Sequence, residues 1–417
     1  MKRVGLVGFG VSNQALCTHF LGLGYEVYVH LPDKRVLPSN VHGVFGEDYL
    51  SCPEELVFRS PAIRPDRIRA HSKIMCESDY SLSLLKMPKI CVSGSDGKTT
   101  TCSLIYEVLS MEHHAFLGGN IGNVLFNAFN KDYEFAVCEL SSFQLFDFAP
   151  ECEIGVLTGI TENHLDWHKS MSEYALCKEN VLKNARHRVL CYDNPYTREI
   201  AKKYSDATLY SLSDLSHLGK SHVYLKGDYI YRGSEKIISK NEILLRGDFN
   251  LLNIMACIAT TYPYVKKESL VRAISSFKGV AHRLEPVKAI RGVSFFDSSI
   301  DTTPSRTLAT LSAFDNSKVV VILGGSDKNL SYEAFAHSLC SLRGAIVLGE
   351  NKGKLLPNLK CKHVRAVNTL YEAVLSAFDI AREGDSIILS PASASFDMFS
   401  SYKERGAEFC KIVNNLS

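Results

Sequence analysis

The chain has 417 residues, 46% of them apolar and 22% charged, which is the balance of an ordinary globular protein. Forty-seven Lys and Arg against forty-five Asp and Glu leave a formal net charge of +2, which gives no sign of a polyanion partner such as nucleic acid. Single cores stop growing beyond about 250–300 residues, so two or three domains are expected.

The apolar run after Met1-Lys2-Arg3 is too short for a signal-peptide core, and no stretch approaches the roughly 20 apolar residues of a membrane span. Thirteen cysteines, an odd number, are scattered without a Cys-x-x-Cys pair. Several, such as Cys138 and Cys257, sit in apolar runs as small hydrophobes, so a reducing cytoplasm is expected. Zinc is not expected, because no cysteine and histidine share ligand spacing.

In chain order, a strand over 2–7, a helix over 13–23 closed by Gly24 and a strand over 26–29 open a βαβ unit. Pro53, Pro61, Pro65 and Pro88 punctuate the next stretch, and the first domain is set at 1–88. A second domain, 89–283, opens with a strand over 90–93, a glycine loop, and a helix with Leu104, Ile105, Val108 and Leu109 on one face. Strands over 135–140, 154–159 and 188–192 come next, then shorter pieces between 224 and 245. A third domain, 284–417, carries strands over 293–297, 319–323, 345–348 and 386–389. Strands alternating with helices predict an α/β protein with mostly parallel sheets.

Gly94-Ser95-Asp96-Gly97-Lys98-Thr99-Thr100 lies between the strand over 90–93 and its helix, the setting of a phosphate cradle. Glycines let backbone N–H groups approach phosphate oxygens, and the helix N-terminus adds partial positive charge. Lys98 would neutralise the β/γ-phosphates and the Thr99 hydroxyl would bind Mg²⁺. Val92 stands where the full P-loop pattern has its first glycine, so the loop is a shortened one. Glu139 ends an apolar strand, where a carboxylate is costly unless a cation faces it. His164 comes after the next strand and should reach the same crevice at the carboxyl ends of the strands, as a second metal ligand.

These residues, with Gly118-Gly119-Asn120-Ile121-Gly122, Glu139 through Leu145, Asn163-His164-Leu165-Asp166, His282-Arg283, Gly324 through Lys328 and Leu389 through Ser395, resemble the Mur ligases of peptidoglycan synthesis. Within that family the chain is most similar to the D-glutamate-adding branch, over nearly its whole length. The resemblance implies a Rossmann-like first domain for UDP, a central P-loop ATPase-type domain and a Rossmann-like last domain. It implies ATP, two Mg²⁺ ions, and UDP-N-acetylmuramoyl-L-alanine and D-glutamate as partners, joined through an acyl phosphate by a monomer. Thr99 and Glu139 correspond to ligands of one Mg²⁺ and His164 to a ligand of the other. Lys178 stands where the family carries a carbamylated lysine. A carbamate is anionic and can bridge cations that an ammonium group would repel, and it needs a neutral amine to form. Asn120 matches a residue near the reacting centre, and Asn250, Arg283 and Asp297 match ATP contacts. Thr302, Lys328, Ser395, Phe396 and Tyr402 match the D-glutamate pocket.

In the first domain, Gly8-Phe9-Gly10-Val11-Ser12-Asn13 has Asn13 in place of the third glycine of a dinucleotide fingerprint. His30 takes the place of the acidic residue that would hold a ribose, so NAD is disfavoured. Val11 and Ser12 are expected over the UDP diphosphate, and Ser60-Pro61-Ala62-Ile63 matches a family element near the uridine. The sequence departs from the family at Phe249, where a histidine is lost, and in the 297–301 loop, where Ser298, directly after Asp297, takes the place of an acidic residue. Asp193-Asn194-Pro195 reads as a turn. The alternatives are a different Mur ligase or a folylpolyglutamate synthetase-like enzyme, a P-loop GTPase or regulatory ATPase, and a nucleotide-sugar oxidoreductase.

Overall fold

Short apolar runs that alternate with helices fold into three large sheets in the computed structural model, which describes residues 2–219, 221–327 and 332–416. The first sheet is parallel, in the order Val41–Phe45, Glu26–Leu31, Arg3–Val7, Leu56–Arg59, Ile74–Met75. Its helix Val11–Gly22 buries Asn13, Leu16, Cys17 and Phe20, the stripe that a period of 3.6 residues lays against a sheet. The helix starts at Val11, two residues before the expected Asn13, so the glycine turn of Gly8 and Gly10 leads directly into it.

The second sheet has nine strands, in the order Glu235–Ser239, Tyr229–Arg232, Val223–Lys226, Thr208–Ser211, Ala185–Cys191, Cys152–Leu157, Lys89–Ser93, Phe135–Glu139, Ala115–Gly119. All neighbours are parallel except the meander of Val223–Lys226, Tyr229–Arg232 and Glu235–Ser239. Val92 lies opposite both Glu139 and Val156. That register brings Ser93, Glu139 and Leu157 to one sheet edge, where the loops leaving three strands meet.

The third sheet runs Glu285–Ile290, Val293–Asp297, Ser386–Leu389, Val319–Gly324, Gly344–Leu348, His363–Ala366, parallel except for its first pair. Val320, Ile322, Ile346, Ile387 and Leu389 fill its core with Phe409 and Val413 of helix Tyr402–Asn414.

The described residues divide into two compact units. One holds the first two sheets, residues 1–243 and 249–277, and the other holds the third sheet, residues 244–248 and 278–417. Among the described residues no helix is long and apolar enough to cross a membrane.

Candidate active site

Strand Lys89–Ser93 ends in a backbone that only glycine tolerates. Gly94 has φ +147°, and a Cβ there would lie 1.7 Å from Thr158 Oγ1. Gly97 has φ +80° and backs onto Asn253, whose Oδ1 would meet a Cβ at 2.3 Å. The chain therefore wraps tightly before helix Lys98–Leu109 begins, and its first N–H groups are presented at a helix N-terminus. Ser95 Oγ is used inside the fold, donating to Thr161 O at 3.0 Å and pairing with Tyr174 OH at 2.9 Å. Asp96 accepts from Thr161 Oγ1 at 3.2 Å, and Thr100 is buried. Lys98 Nζ folds back to donate to Gly94 O at 2.8 Å and Ser95 O at 2.9 Å.

Thr99, Glu139 and Asn120 come together as a set. Thr99 Oγ1 donates to Glu139 Oε2 at 2.8 Å, and Asn120 Nδ2 donates to Glu139 Oε1 at 2.9 Å. Glu139 is buried at the end of its strand, and Asn120 N donates to Glu139 O at 2.9 Å. Gly119 makes that approach possible, since a Cβ there would lie 2.2 Å from Glu139 O.

Lys178 lies on helix Met171–Lys183, which Ser170 caps by accepting from Glu173 N. Its amine is buried, 2.5 Å from Gly94 O and 4.7 Å from the Tyr174 ring centroid. Burial pushes this amine well below the usual lysine range, and the charge of Lys98 adds to the effect. His164 flanks the same tyrosine, ring centroids 6.4 Å apart, and packs edge-on against Phe143 at 4.9 Å. Its backbone is left-handed, φ +55°, a conformation that costs free energy outside glycine.

Asn250 starts the buried face of helix Asp248–Thr261 and accepts from Asn253 Nδ2 at 3.3 Å. Asn253 in turn accepts from Thr101 Oγ1 at 3.3 Å, so Asn250 is joined to the phosphate-loop helix through a residue that sequence reasoning missed. The available signal was an asparagine one turn on from Asn250, on an otherwise apolar face.

In the first sheet, Ser60 N donates to Val7 O at 2.7 Å, and a Cβ on Gly8 would lie 2.4 Å from Ser60 Oγ. Val11 and Ser12 open the helix beside Gly10, with Val11 exposed, so these residues share one edge with Ser60. Asn13 is buried and donates to Gly8 O at 2.8 Å and Val7 O at 3.3 Å, fastening the turn that a third glycine would leave open. His30, Cys52 and Glu54 form a buried donor cluster nearby in the same sheet region. Glu54 sits at His30 Nε2 (3.4 Å) and Cys52 at Nδ1 (3.8 Å). Burial pushes the Cys52 thiol up to about 12.

In the other unit, Asp297 is buried and accepts from Ser299 N at 2.8 Å, with His282 Nδ1 at 2.7 Å. Arg283 is next on that turn; burial holds the Asp301 carboxyl above its usual range, and the Arg283 charge offsets a part of that. Arg405, which sequence reasoning also missed, donates to Ser299 O, Ser393 O and Ala394 O at 2.9–3.1 Å. It ties the loop before Thr302 to the loop before Ser395, both at the carboxyl edge of the third sheet. Ser395 is buried and its carbonyl accepts from Phe399 N at 2.8 Å. Phe396 is exposed, and the Tyr402 ring lies 6.3 Å from His282. Lys328 lies outside the described residues.

Among known protein families, residues 92–261 match the Mur ligase middle domain. The UDP-N-acetylmuramoylalanine--D-glutamate ligase of Ruminiclostridium cellulolyticum is 35% identical, covering 100% of this chain and 97% of that protein. The enzyme of the same name from Clostridium tetani is also 35% identical, with the same coverage. Among solved structures, a pseudomurein peptide ligase type C from Methanothermus fervidus shares the fold at TM-score 0.64 and 15% identity, with 100% of both chains covered. The UDP-N-acetylmuramate-alanine ligase MurC from Thermotoga maritima does so at TM-score 0.61 and 19% identity, with 99% of both covered.

Proposed function

The chain belongs to the Mur ligase family, and from that premise we propose that it is the ATP-dependent ligase joining D-glutamate to UDP-N-acetylmuramoyl-L-alanine for peptidoglycan precursors. The observation that carries this reading is the full-length identity with D-glutamate ligases. The three sheets are the cores of three domains, 1–88, 89–283 and 284–417, in a monomeric cytoplasmic enzyme.

A carboxylate is a poor electrophile, so its oxygen must first become part of a better leaving group. An oxygen of the L-alanyl carboxylate attacks the γ-phosphorus of ATP, and the bond to the ADP oxygen breaks. The neutral amine of D-glutamate then attacks the acyl carbon, and phosphate leaves with the former carboxylate oxygen and the proton that the nitrogen gives up. The residues present fit a hard divalent cation, because Thr99 and Glu139 offer converging oxygens and Glu139 is buried. Mg²⁺ held there would offset charge on the phosphoryl oxygens. Lys98 exchanges its loop carbonyls for phosphate oxygens, while the backbone N–H groups at 97–99 orient the phosphate chain. Asn120 fixes the Glu139 carboxylate through the oxygen that Thr99 does not use.

Lys178 carries a carbamate in the working enzyme. Its depressed pKa supplies the neutral amine, whose nitrogen forms a bond to the carbon of CO₂ and releases one proton. The anion produced and His164 would hold a second Mg²⁺. Val11, Ser12 and Ser60 receive the UDP portion, and Asn250, Arg283 and Asp297 serve ATP. Asp297 acts here through His282 and Ser299, which occupy its oxygens. Thr302, Lys328, Ser395, Phe396 and Tyr402 receive D-glutamate.

The test is phosphate release from Mg-ATP with UDP-N-acetylmuramoyl-L-alanine, adding D-glutamate, L-glutamate, L-lysine or nothing. Release should require the UDP-sugar and D-glutamate together. Release indifferent to the amino acid would point to a P-loop ATPase instead.

A further inference from the structure

One network joins the loop after strand Leu56–Arg59 to the turn that carries His164. The Trp167 indole N–H donates to Ala62 O at 2.7 Å. Arg64 Nη1 donates to Trp167 O at 2.6 Å and to Glu173 Oε2 at 3.1 Å, and Nη2 to Glu173 Oε1 at 3.3 Å. Asp66 accepts from Nε at 3.1 Å, so the planar fork is held on three sides. The guanidinium carbon also lies 4.7 Å from the Phe146 centroid and 4.8 Å from that of Trp167. Arg59 ties the same loop to the neighbouring segment, donating to Pro61 O and Ile63 O and to Phe143 O at 2.8 Å.

Two members of the reacting site hang on this network. Glu173 lies on the helix that bears Lys178. The strained turn at His164 is closed by Trp167 N and His168 N, which donate to His164 O at 3.1 and 2.9 Å. A non-glycine residue stays left-handed only where its surroundings hold it there. Arg64 grips the carbonyl of Trp167, three residues on in the same turn.

We propose that Arg64 and Trp167 are positioning residues that link the 60–64 loop to His164 and to the Lys178 helix, so that seating the UDP-sugar tightens the divalent-ion site. This rests on His164 and Lys178 serving the second Mg²⁺, as proposed for the reaction. Coupling of this kind is reciprocal, so Mg²⁺ should in turn tighten the UDP-sugar. The chain has one tryptophan, Trp167, which makes its fluorescence a direct report on the network.

The experiment compares full-length wild type with Arg64→Ala, Arg64→Lys, Glu173→Gln and His164→Ala, titrating Mg²⁺ at saturating substrates. Arg64 reaches the ligands only through Trp167 and Glu173, and coupling between linked sites is worth about fivefold or more, so half-saturating Mg²⁺ should rise by at least about fivefold in Arg64→Ala. Added guanidinium ion should lower it again, and Arg64→Lys should fall between. In wild type the Trp167 emission should shift on adding UDP-N-acetylmuramoyl-L-alanine, at lower concentrations when Mg²⁺ is present, and Arg64→Ala should lose that Mg²⁺ dependence. Half-saturation in Arg64→Ala within about twofold of wild type, while His164→Ala shifts it, would overturn the proposal. So would a uniform fall in kcat at every Mg²⁺ concentration, the mark of a merely structural role. An unchanged Mg²⁺ profile in His164→Ala would instead overturn the metal reading itself. If Arg64→Ala does not fold, Glu173→Gln keeps the volume of the partner and decides by the same titration.

Discussion

The Thr99 hydroxyl and the Glu139 carboxylate lie 2.8 Å apart, joining the first turn of the phosphate-loop helix to the end of the neighbouring parallel strand. A buried carboxylate is costly unless its lone pairs are satisfied, and here Thr99 and Asn120 satisfy one oxygen each.

If this pair holds a divalent cation, Glu139→Gln should lower ligase turnover by roughly a hundredfold and raise the Mg²⁺ needed for half-maximal rate. Thr99→Ser keeps the hydroxyl and should stay near wild type, whereas Thr99→Ala should not. Initial rates against Mg²⁺ for the three variants check this. Equal Mg²⁺ dependence in all of them would refute it.

Lys178 is buried beside Gly94 O, with no carboxylate at hydrogen-bond distance of its amine among the described residues. Lys178→Ala should lose most activity and regain part of it with a short-chain carboxylic acid that takes the place of the carbamate. Absence of rescue over a wide range of acid concentration would contradict carbamylation.

Much of the candidate nucleotide site stands out in the sequence because its residues are local. Gly94, Gly97, Lys98 and Thr99 are nearly contiguous, and their strand–loop–helix setting is evident from patterning alone. Glu139 was marked by a charge at the end of an apolar run. Several of the strands that patterning did not reveal are short or weakly marked: Val41–Phe45 contains Gly43, Ala115–Gly119 ends in two glycines, and Ile74–Met75 is two residues long. Their strand character comes from pairing with neighbours rather than from propensity. Asn253, Arg64 and Arg405 were missed for a different reason. Each acts on residues far away in the chain, and a lone polar residue on a helix or loop carries no mark of its partner.

His168 offers a test of the packing around the His164 turn. Its ring is buried, 2.9 Å from Ser142 Oγ, and burial holds its pKa down at about 4. An unfolded histidine titrates near 6.5, so between pH 6.5 and about 4 the unfolded chain binds the extra proton. Stability therefore falls as pH drops through that window and levels off below it, as far as this group is concerned. His168→Gln should flatten the dependence of denaturation midpoint on pH between those limits. An unchanged slope would show that the imidazole is already protonated in the folded state or is not buried.

The most direct test of the central claim uses UDP-N-acetylmuramoyl-L-alanine labelled with ¹⁸O in the L-alanyl carboxylate. The enzyme is supplied with Mg-ATP and D-glutamate, and the released phosphate is analysed by mass. Attack of the carboxylate on the γ-phosphorus followed by displacement by the amine predicts one ¹⁸O atom in the phosphate formed with each amide bond. Unlabelled phosphate accompanying amide formation would contradict an acyl-phosphate ligase.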